Sequence, residues 1–339
     1  MKKLASLALT FALVLMLGIS AMAEGDRVAV ICDPVGTNLF LTQVVDKANE
    51  LKDTYGYDLS VMECSDTDEW QSNYRAAVAE GYDLIVGVGW QSAEYANEMA
   101  TDYPDAAKYA VIDTDAGNDN VMSISYNEEQ AAYLMGVMAG YAFPDEEIYG
   151  YIGAFEGAGS FKYRWGFCEG VRSVNPDAKF IFNFTNSYSD AAPAYNYAKQ
   201  QNAAGATYIF GGAAACNEGI FQAALELADS GNPIYSIAQD ADATTPDNPY
   251  ILSSQLKNTG VTMQFILDSY FSDSMTMGLT VQELKDGAIG ATHITNPGIY
   301  LNEEILTPEV IAACQAVVDQ IVSGELVLEM PASEADYTF

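Results

Sequence analysis

The amino-acid sequence predicts an α/β fold built from two similar lobes. From residue 27 onward, short apolar runs alternate with longer amphipathic segments. The runs recur roughly every 25 to 30 residues, the spacing of βαβ units, which build parallel sheets with helices on both faces. A pattern of strands and loops in the first half of the chain also recurs in the second half. Together these observations predict two lobes and not one long sheet.

The predicted elements alternate regularly along the chain. After the first strand, Leu41, Val44 and Ala48 recur at helical spacing and mark one buried helix face. The stretch "NEGIFQAALELADSG" shows the same spacing and ends at a helix-stopping glycine. The segments predicted as strands are 27–32, 58–63, 83–88, 108–113, 148–153, 178–184, 207–212, 234–238 and 250–254.

The internal repeat involves two pairs of segments. "EGYDLIVGVGW" (80–90) parallels "AGATYIFGGAA" (204–214), and each is a helix end, a strand and a glycine-rich exit. "YAVIDTD" (109–115) parallels "YSIAQDAD" (235–242), and each is a strand followed by Asp-x-Asp. Since ligands of open α/β sheets bind at the carboxyl ends of the strands, two facing lobes predict a ligand cleft lined by these exits.

Charge and cysteine content exclude several classes of partner. The chain has 14 basic and 47 acidic residues and a formal net charge of -33, which excludes nucleic acid because phosphate binding needs clustered Lys and Arg. Its five cysteines are scattered, without a C-x-x-C motif or a histidine at metal-binding spacing. We therefore predict buried free thiols, no metal site and no cofactor.

The first 23 residues have the features of a secretory signal peptide. Lys2 and Lys3 precede an apolar core, and Ala21-Met22-Ala23 fits the small-x-small cleavage rule. A membrane anchor is the alternative, although the apolar run is short for a transmembrane helix. The prediction is an exported, extracytoplasmic protein cleaved after Ala23. The final residues, 329–339, are expected to form a loosely held surface segment.

Catalytic motifs are not found in the sequence. Its single histidine, His293, lies apart from any Ser or Cys motif, and no G-x-S-x-G, H-E-x-x-H or phosphate-binding G-x-x-x-x-G-K-[ST] occurs. Carboxylates do follow two predicted strands, at Asp113 and Asp115 and at Asp240 and Asp242. They could bind ligand hydroxyls, act as a glycosidase pair or cap turns. We favour ligand contact for the first acid of each pair and capping for the second.

Aromatic residues also cluster at the predicted cleft. Aromatic faces beside a slot suit a flat heterocycle or a sugar ring, whereas the alternative is that they pack in the core. Trp90 and Tyr188 follow glycine-rich or polar strand exits, which favours the cleft; for Phe40 the two interpretations are closer. The glycine-rich segment 153–162, which contains Phe155, is predicted to be a cleft loop.

Seven stretches, in this order along the chain, carry a family resemblance: "EGYDLIVGVGW", "YPDAAKYAVID", "NVMSISYNEEQAAYLMGVMAGYA", "RWGFCEGVRSVNPDAKF", "SYSDAAPAYNYAKQQNAAGATYIFGGA", "ILSSQLKNTG" and "IVSGEL". They resemble the basic-membrane-protein family of ABC transporter substrate-binding proteins, which includes purine nucleoside receptors. The resemblance implies two Rossmann-like lobes with parallel sheets joined by three crossovers, the type I periplasmic-binding-protein architecture. It also implies a non-enzymatic protein that hands a ligand to a membrane permease driven by a separate ATPase.

The resemblance implies a division of the chain into two lobes. The crossovers are expected near 120–125, 250–255 and 288–292. The N-terminal lobe would comprise 24–122 plus 252–290, and the C-terminal lobe 123–251 plus 291–339.

The family's nucleoside contacts can be placed on matching positions of this sequence. Asp240 and Lys257 would hold the ribose, while Phe40 and Tyr188 would sandwich the base. The first loop departs from the family's D-x-S-F-N pattern, since this chain reads Thr37-Asn38-Leu39-Phe40; this puts base recognition in question. Adding Trp90 from its position, the candidate ligand-binding residues are Asp33, Thr37, Asn38, Phe40, Trp90, Asp113, Tyr188, Gly212, Asp240 and Lys257.

The expected function is capture of a nucleoside-like molecule by a monomeric extracytoplasmic protein and delivery to an ABC transporter permease. Within this hypothesis, sugars, flavins and other small polar molecules remain possible ligands. An exported nucleoside or sugar hydrolase using Asp113 and Asp240 is one alternative. A ligand receptor for a sensory system is another.

Overall fold

The computed structural model describes residues 25–36 and 38–339; the predicted signal peptide and Thr37 lie outside this range. The strands are β1 (Arg27–Cys32), β2 (Asp58–Glu63), β3 (Leu84–Val88), β4 (Lys108–Ile112), β5 (Val121–Tyr126), β6 (Ile148–Gly153), β7 (Lys179–Phe184), β8 (Tyr208–Gly212), β9 (Tyr235–Asp240), β10 (Ile251–Lys257), β11 (Gly278–Gln282) and β12 (Ile289–Ala291). The helices are α1 (Leu39–Tyr55), α2 (Thr67–Ala79), α3 (Ser92–Asp102), α4 (Glu128–Ala142), α5 (Ala158–Val174), α6 (Ala191–Ala203), α7 (Asn217–Asp229), α8 (Thr259–Phe271) and α9 (Pro308–Ser323).

These strands form two six-stranded sheets within the described residues. The first has the order β11-β5-β4-β3-β1-β2 and the second β12-β10-β9-β8-β6-β7. All neighbouring strands run parallel except β12, which pairs antiparallel with β10. The predicted α/β fold with two parallel-sheet lobes is therefore confirmed.

The apolar runs of the sequence form the strands because both faces of each sheet are covered. In β1, Val28 and Val30 pack into one apolar cluster, whereas Ala29 and Ile31 pack into another on the opposite face. Parallel strands buried on both faces need such continuous apolar runs. The five cysteines are buried and unpaired, as predicted.

All nine predicted strands are present, but three observed strands were missed. β5 reads "VMSISY", and its alternating serines and position near an expected crossover hid it. β11 is a short edge strand with two exposed apolar side chains, and β12 has three residues. Such short or polar strands give a weak periodic signal.

The chain passes from one sheet to the other after β5, after β10 and between β11 and β12. Residues 123–126 therefore lie in the first sheet, and residues 252–257 and 289–290 lie in the second, whereas the sequence placed each of these segments in the opposite lobe. The reason is that each strand continues to its carboxyl end before the crossover, where Asn127 and Asn258 precede helices. We propose lobes comprising 25–126 plus 258–287 and 127–257 plus 288–339, since α8 packs on α1 and α4 packs on α5.

The final segment is packed against the second lobe. Glu334 accepts a 2.6 Å hydrogen bond from the buried Arg164 guanidinium. The Phe339 ring lies 4.7 Å from Phe182, and the Arg164 guanidinium lies 4.8 Å from the Phe339 ring. The expectation of a loosely held segment was wrong because its acid and aromatic side chains have specific partners on α5 and β7. Among the described residues, no helix has the length and apolar character needed to cross a bilayer.

Candidate functional site

A cleft of about 730 Å³ lies where the carboxyl ends of the two sets of parallel strands face each other. This is where ligands bind in open α/β sheets, and the size is that of a small-molecule site. Its first wall comes from the residues after β1, β3 and β4, and its second from those after β6, β7, β8 and β9. Lys257, at the end of β10, lies at the inner end next to a crossover.

Nine of the ten candidate residues line this cleft, and Thr37 lies outside the described residues. The nine are Asp33, Asn38, Phe40, Trp90, Asp113, Tyr188, Gly212, Asp240 and Lys257. They come from distant parts of the chain, so the fold brings them together. Their contact with a ligand stays a prediction.

Charged groups occupy the inner end of the cleft. The Lys257 ammonium donates to Asp113 Oδ1 at 2.7 Å and to Glu128 Oε1 at 3.0 Å. Lys162 donates to Glu128 Oε2 at 2.8 Å and to the Tyr126 carbonyl at 2.7 Å. We call Asp113, Lys257, Glu128 and Lys162 the ionic chain, because negative and positive groups alternate along it.

The ionic chain keeps its central groups charged. Burial opposes the charge of Lys257, but the carboxylates of Asp113 and Glu128 outweigh burial and raise the lysine pKa well above its usual range. Burial likewise opposes ionisation of Glu128, but the ammonium groups of Lys257 and Lys162 lower its pKa. The inner end of the cleft therefore contains the charged ammonium of Lys257, paired with the ionised carboxylate of Glu128.

Asp240 lies beside this chain, next to the Tyr163 hydroxyl. Its Oδ1 is buried and has no hydrogen-bond partner among the described residues. Burial raises the pKa of Asp240 to about 6. A buried polar atom without a partner is costly and calls for an explanation, and at a cleft-lining residue a ligand can supply the missing bond.

The Asp-x-Asp repeat is a structural repeat of the two lobes. Asp113 and Asp240 both adopt the left-handed region, with φ of 72° and 71°, a conformation that Asp tolerates better than most residues and that is found at functional sites. The second acids cap turns, as predicted: Asp115 accepts from the Gly117 amide at 2.8 Å, and Asp242 accepts from the amide two residues on at 3.0 Å.

The outer end of the cleft is aromatic. Trp90 is 65% exposed, and Phe155 and Tyr188 are also exposed, so these rings line the cleft and are not core residues. Phe155 and Tyr188 meet edge to face with centroids 4.9 Å apart. Phe40 is half-buried in the opposite wall, with the Lys257 ammonium 5.7 Å from its ring centroid.

Some polar groups of the loop after β1 form hydrogen bonds within the protein. Asp33 Oδ2 accepts a 2.8 Å hydrogen bond from Gln91, and burial raises the pKa of Asp33. The Asn38 side-chain oxygen caps α1 by accepting from the Phe40 amide at 3.1 Å. Gly212 has a structural reason of its own, because a Cβ there would lie 2.4 Å from the Tyr151 hydroxyl.

Sequence reasoning missed Glu128, Lys162 and Gln91 as cleft residues. Glu128 looks like an ordinary acid in the first turn of a helix, where the helix dipole favours it. Lys162 lies in the glycine-rich segment identified as a cleft loop, and it is one of only 14 basic residues. That rarity was the available signal for it.

Two α/β lobes with a small-molecule cleft between their strand exits are the arrangement expected of a protein that binds a small ligand. The model of the family described as ABC transporter substrate-binding protein PnrA-like matches residues 28–328. The chain belongs to this family, whose members are substrate-binding proteins and not enzymes. The family assignment therefore gives no support to the hydrolase alternative.

Named relatives agree with this assignment, and a solved structure shares the fold. The chain is 25% identical to the ABC transporter nucleoside-binding protein BmpA of Lactococcus lactis, over 83% of this chain and 80% of the relative. It is 28% identical to Basic membrane protein B of Borreliella burgdorferi, over 69% and 70% of the two chains. The crystal structure of a solute-binding protein of an ABC transporter system from Aeropyrum pernix superimposes with a TM-score of 0.80 at 23% identity, covering 91% and 95%.

Proposed function

We propose that this protein captures a nucleoside-like molecule outside the cytoplasm and delivers it to the permease of an ABC transporter. The observation that carries the proposal is the division of the cleft into a charged inner end and an aromatic outer end. A nucleoside has the same division, with a hydroxyl-bearing sugar joined to a flat base. The relative from Lactococcus lactis, named as a nucleoside-binding protein, supports the same ligand class.

The inner end can bind a pair of neighbouring hydroxyls. An ammonium group has three donors, and Lys257 uses two of them on Asp113 and Glu128. Asp240 Oδ1 is an acceptor without a partner among the described residues. A diol both donates and accepts, so one hydroxyl can donate to Asp240 while another accepts from Lys257.

The outer end can bind a flat ring. Phe40 comes from the first lobe and Tyr188 from the second, and both line the cleft. Stacking on an aromatic face is worth about 0.5–1.5 kcal/mol per pair beyond the area buried. Rings on opposite walls can therefore stack on a flat base.

Delivery requires an extracytoplasmic location. The proposed signal peptide with cleavage after Ala23 supplies it; those residues lie outside the described part of the structure. We also propose that the protein acts as a monomer. Loss of nucleoside uptake after deletion of the gene would support delivery to a permease, and unchanged uptake would contradict it.

Calorimetry and thermal shift with a ligand panel test the ligand class. The panel contains purine and pyrimidine nucleosides, their free bases, ribose and D-allose. Nucleosides should bind most tightly, since each fragment fills one end of the cleft; saturation at 100 times Kd stabilises by about 2.7 kcal/mol. Tighter binding of a free sugar, or no binding of any nucleoside, would overturn the proposal.

A further inference from the structure

We propose that Glu128 and Lys162 are positioning residues, which hold the Lys257 ammonium where a ligand hydroxyl can accept from it. The inference rests on the proposed function and goes beyond it, because neither residue belongs to the expected nucleoside contacts. Three observations carry it: the geometry of the ionic chain, the lobe to which each member belongs, and the nearby unpartnered Asp240.

The geometry leaves Lys257 little freedom. Its side chain is 5% exposed and that of Glu128 is 8% exposed. The 3.0 Å bond to Glu128 is backed by the 2.8 Å bond from Lys162 to the other oxygen of the same carboxylate. A lysine has a flexible four-carbon stem, so this fixed carboxylate determines the position of its ammonium.

Glu128 and Asp113 differ in the lobe from which they act. Glu128 begins α4, which packs on β10, the strand that carries Lys257. Asp113 follows β4 in the first sheet, and its side chain is 25% exposed. A rotation of the lobes would change the distance from Lys257 to Asp113, whereas Glu128 and Lys162 would move with Lys257. The second lobe therefore holds the Lys257 ammonium in place by its own residues, independently of the first lobe.

Asp240, which also lies at the inner end of the cleft, explains why Glu128 is needed to hold Lys257. Asp240 is close enough to Lys257 for the two charges to influence each other, yet Asp240 Oδ1 forms no hydrogen bond among the described residues. Without Glu128, the ammonium would be drawn towards that free oxygen. A Lys257–Asp240 bond would occupy both the donor and the acceptor that the ligand needs.

The test is Glu128→Gln, with Glu129→Gln as a matched control. Glu129 is the next residue of the same helix turn and is equally buried, but it does not line the cleft. Calorimetry measures Kd for a ribonucleoside and for its 2′-deoxy and 3′-deoxy analogues. We expect Glu128→Gln to weaken ribonucleoside binding about tenfold, as for loss of a hydrogen bond to a charged group. At least one deoxy analogue should bind both proteins with similar Kd, since the hydroxyl that Lys257 serves is missing from it.

Lys162→Met guards against a folding defect. Lys162 is more exposed than Glu128, with 29% of its side chain exposed, so its loss should leave the protein folded and produce the same hydroxyl-specific pattern with a smaller change. Unchanged affinity in both variants, or an equal loss for the ribonucleoside and both deoxy analogues, would overturn the inference while leaving nucleoside binding intact. If the wild-type protein binds no nucleoside, the proposed function fails and the inference with it.

Discussion

Asp240→Asn is expected to stabilise the ligand-free protein at neutral pH while it weakens ligand binding. The residue is half-buried, and its Oδ1 is fully buried with no hydrogen-bond partner among the described residues, so its charge is costly at this site. Asparagine is nearly isosteric and carries no charge. It also tolerates the left-handed conformation of Asp240, with φ of 71°. The substitution therefore removes the charge without changing the backbone.

The magnitude follows from the raised pKa of the carboxyl group. Burial raises the pKa of Asp240 from 3.8 to about 6, a difference worth about 3 kcal/mol. The folded-state pKa lies above the unfolded one, so the protonated carboxyl group of the wild type favours the folded state by this amount. That contribution to the free energy of unfolding is fully present below pH 3.8 and is lost as the pH rises through about 6. The uncharged asparagine of the variant keeps this contribution at all pH values. Its advantage over the wild type should be about 3 kcal/mol at pH 7.5 and about 1 kcal/mol at pH 4.5.

Thermal and urea unfolding at both pH values measure this effect. Asp240→Asn should raise the melting temperature by several degrees at pH 7.5 and by much less at pH 4.5. Asp242→Asn is the matched control in the same loop. Asp242 accepts hydrogen bonds from the amides of Thr244 at 3.0 Å and Ile299 at 2.8 Å, so its substitution should destabilise the protein.

The ligand measurement completes the prediction. Asp240→Asn replaces one carboxylate oxygen by an NH2 group, so binding of a nucleoside should weaken at least about tenfold. A variant that is less stable than the wild type at pH 7.5, or whose gain is the same at both pH values, would refute the reasoning about the buried charge.

Three further substitutions test other parts of the structure. Lys257→Met should cost about 3 kcal/mol or more in urea unfolding because it leaves the buried Glu128 carboxylate, and Asp113 with it, without the cation they share; a loss below 1 kcal/mol would contradict this. Tyr188→Ala should weaken binding of purine nucleosides about twofold to tenfold in calorimetry and leave the melting temperature unchanged, because the ring is exposed; a lower melting temperature would indicate a packing role. Arg164→Met should free the segment held by Glu334, seen as faster hydrogen exchange there; unchanged exchange would show that aromatic packing alone holds it.

The fold could be predicted from the sequence because burial on both faces leaves a continuous apolar signal. β1 and β3 are fully apolar except for short ends, and both were found. β5 was missed because Ser123 and Ser125 interrupt its apolar run. Ser123 is fully buried in the structure, but a serine in the sequence does not signal a buried strand position. The positions of the crossovers depended on β5 and on the full length of β10, so they were displaced by several residues.

The candidate site was predictable where chemistry coincides with a strand exit. Asp113 and Asp240 stand out because each ends an apolar strand, and the repeat of Asp-x-Asp pairs them. Glu128 follows the missed strand β5, so no strand exit marked it. Asn38 was predicted as a ligand-binding residue, but its side-chain oxygen caps α1. The sequence alone could not show whether an asparagine at this position caps the helix or faces the cleft.

The three crossovers are joined to one another by hydrogen bonds. Asn127 donates through its amide to the Gln282 carbonyl at 3.0 Å and through its side chain to Glu283 at 3.0 Å. Asn258 donates through its amide to the Ala288 carbonyl at 2.7 Å and through its side chain to the Gly287 carbonyl at 2.8 Å. Each asparagine therefore ties one crossover to the third.

This arrangement determines which end of the cleft depends on closure. Lys257 and Glu128 are sequence neighbours of Asn258 and Asn127, so they lie at the hinge. In a rotation of two rigid lobes, displacement grows with distance from the hinge. Lys257, Glu128 and Lys162 therefore keep their mutual geometry when the lobes open, while aromatic rings on opposite walls, such as Trp90 and Tyr188, move apart. If the ligand is nucleoside-like as proposed, the lysine that meets its sugar is held in place before closure, and its base is enclosed by the outer rings only when the lobes close.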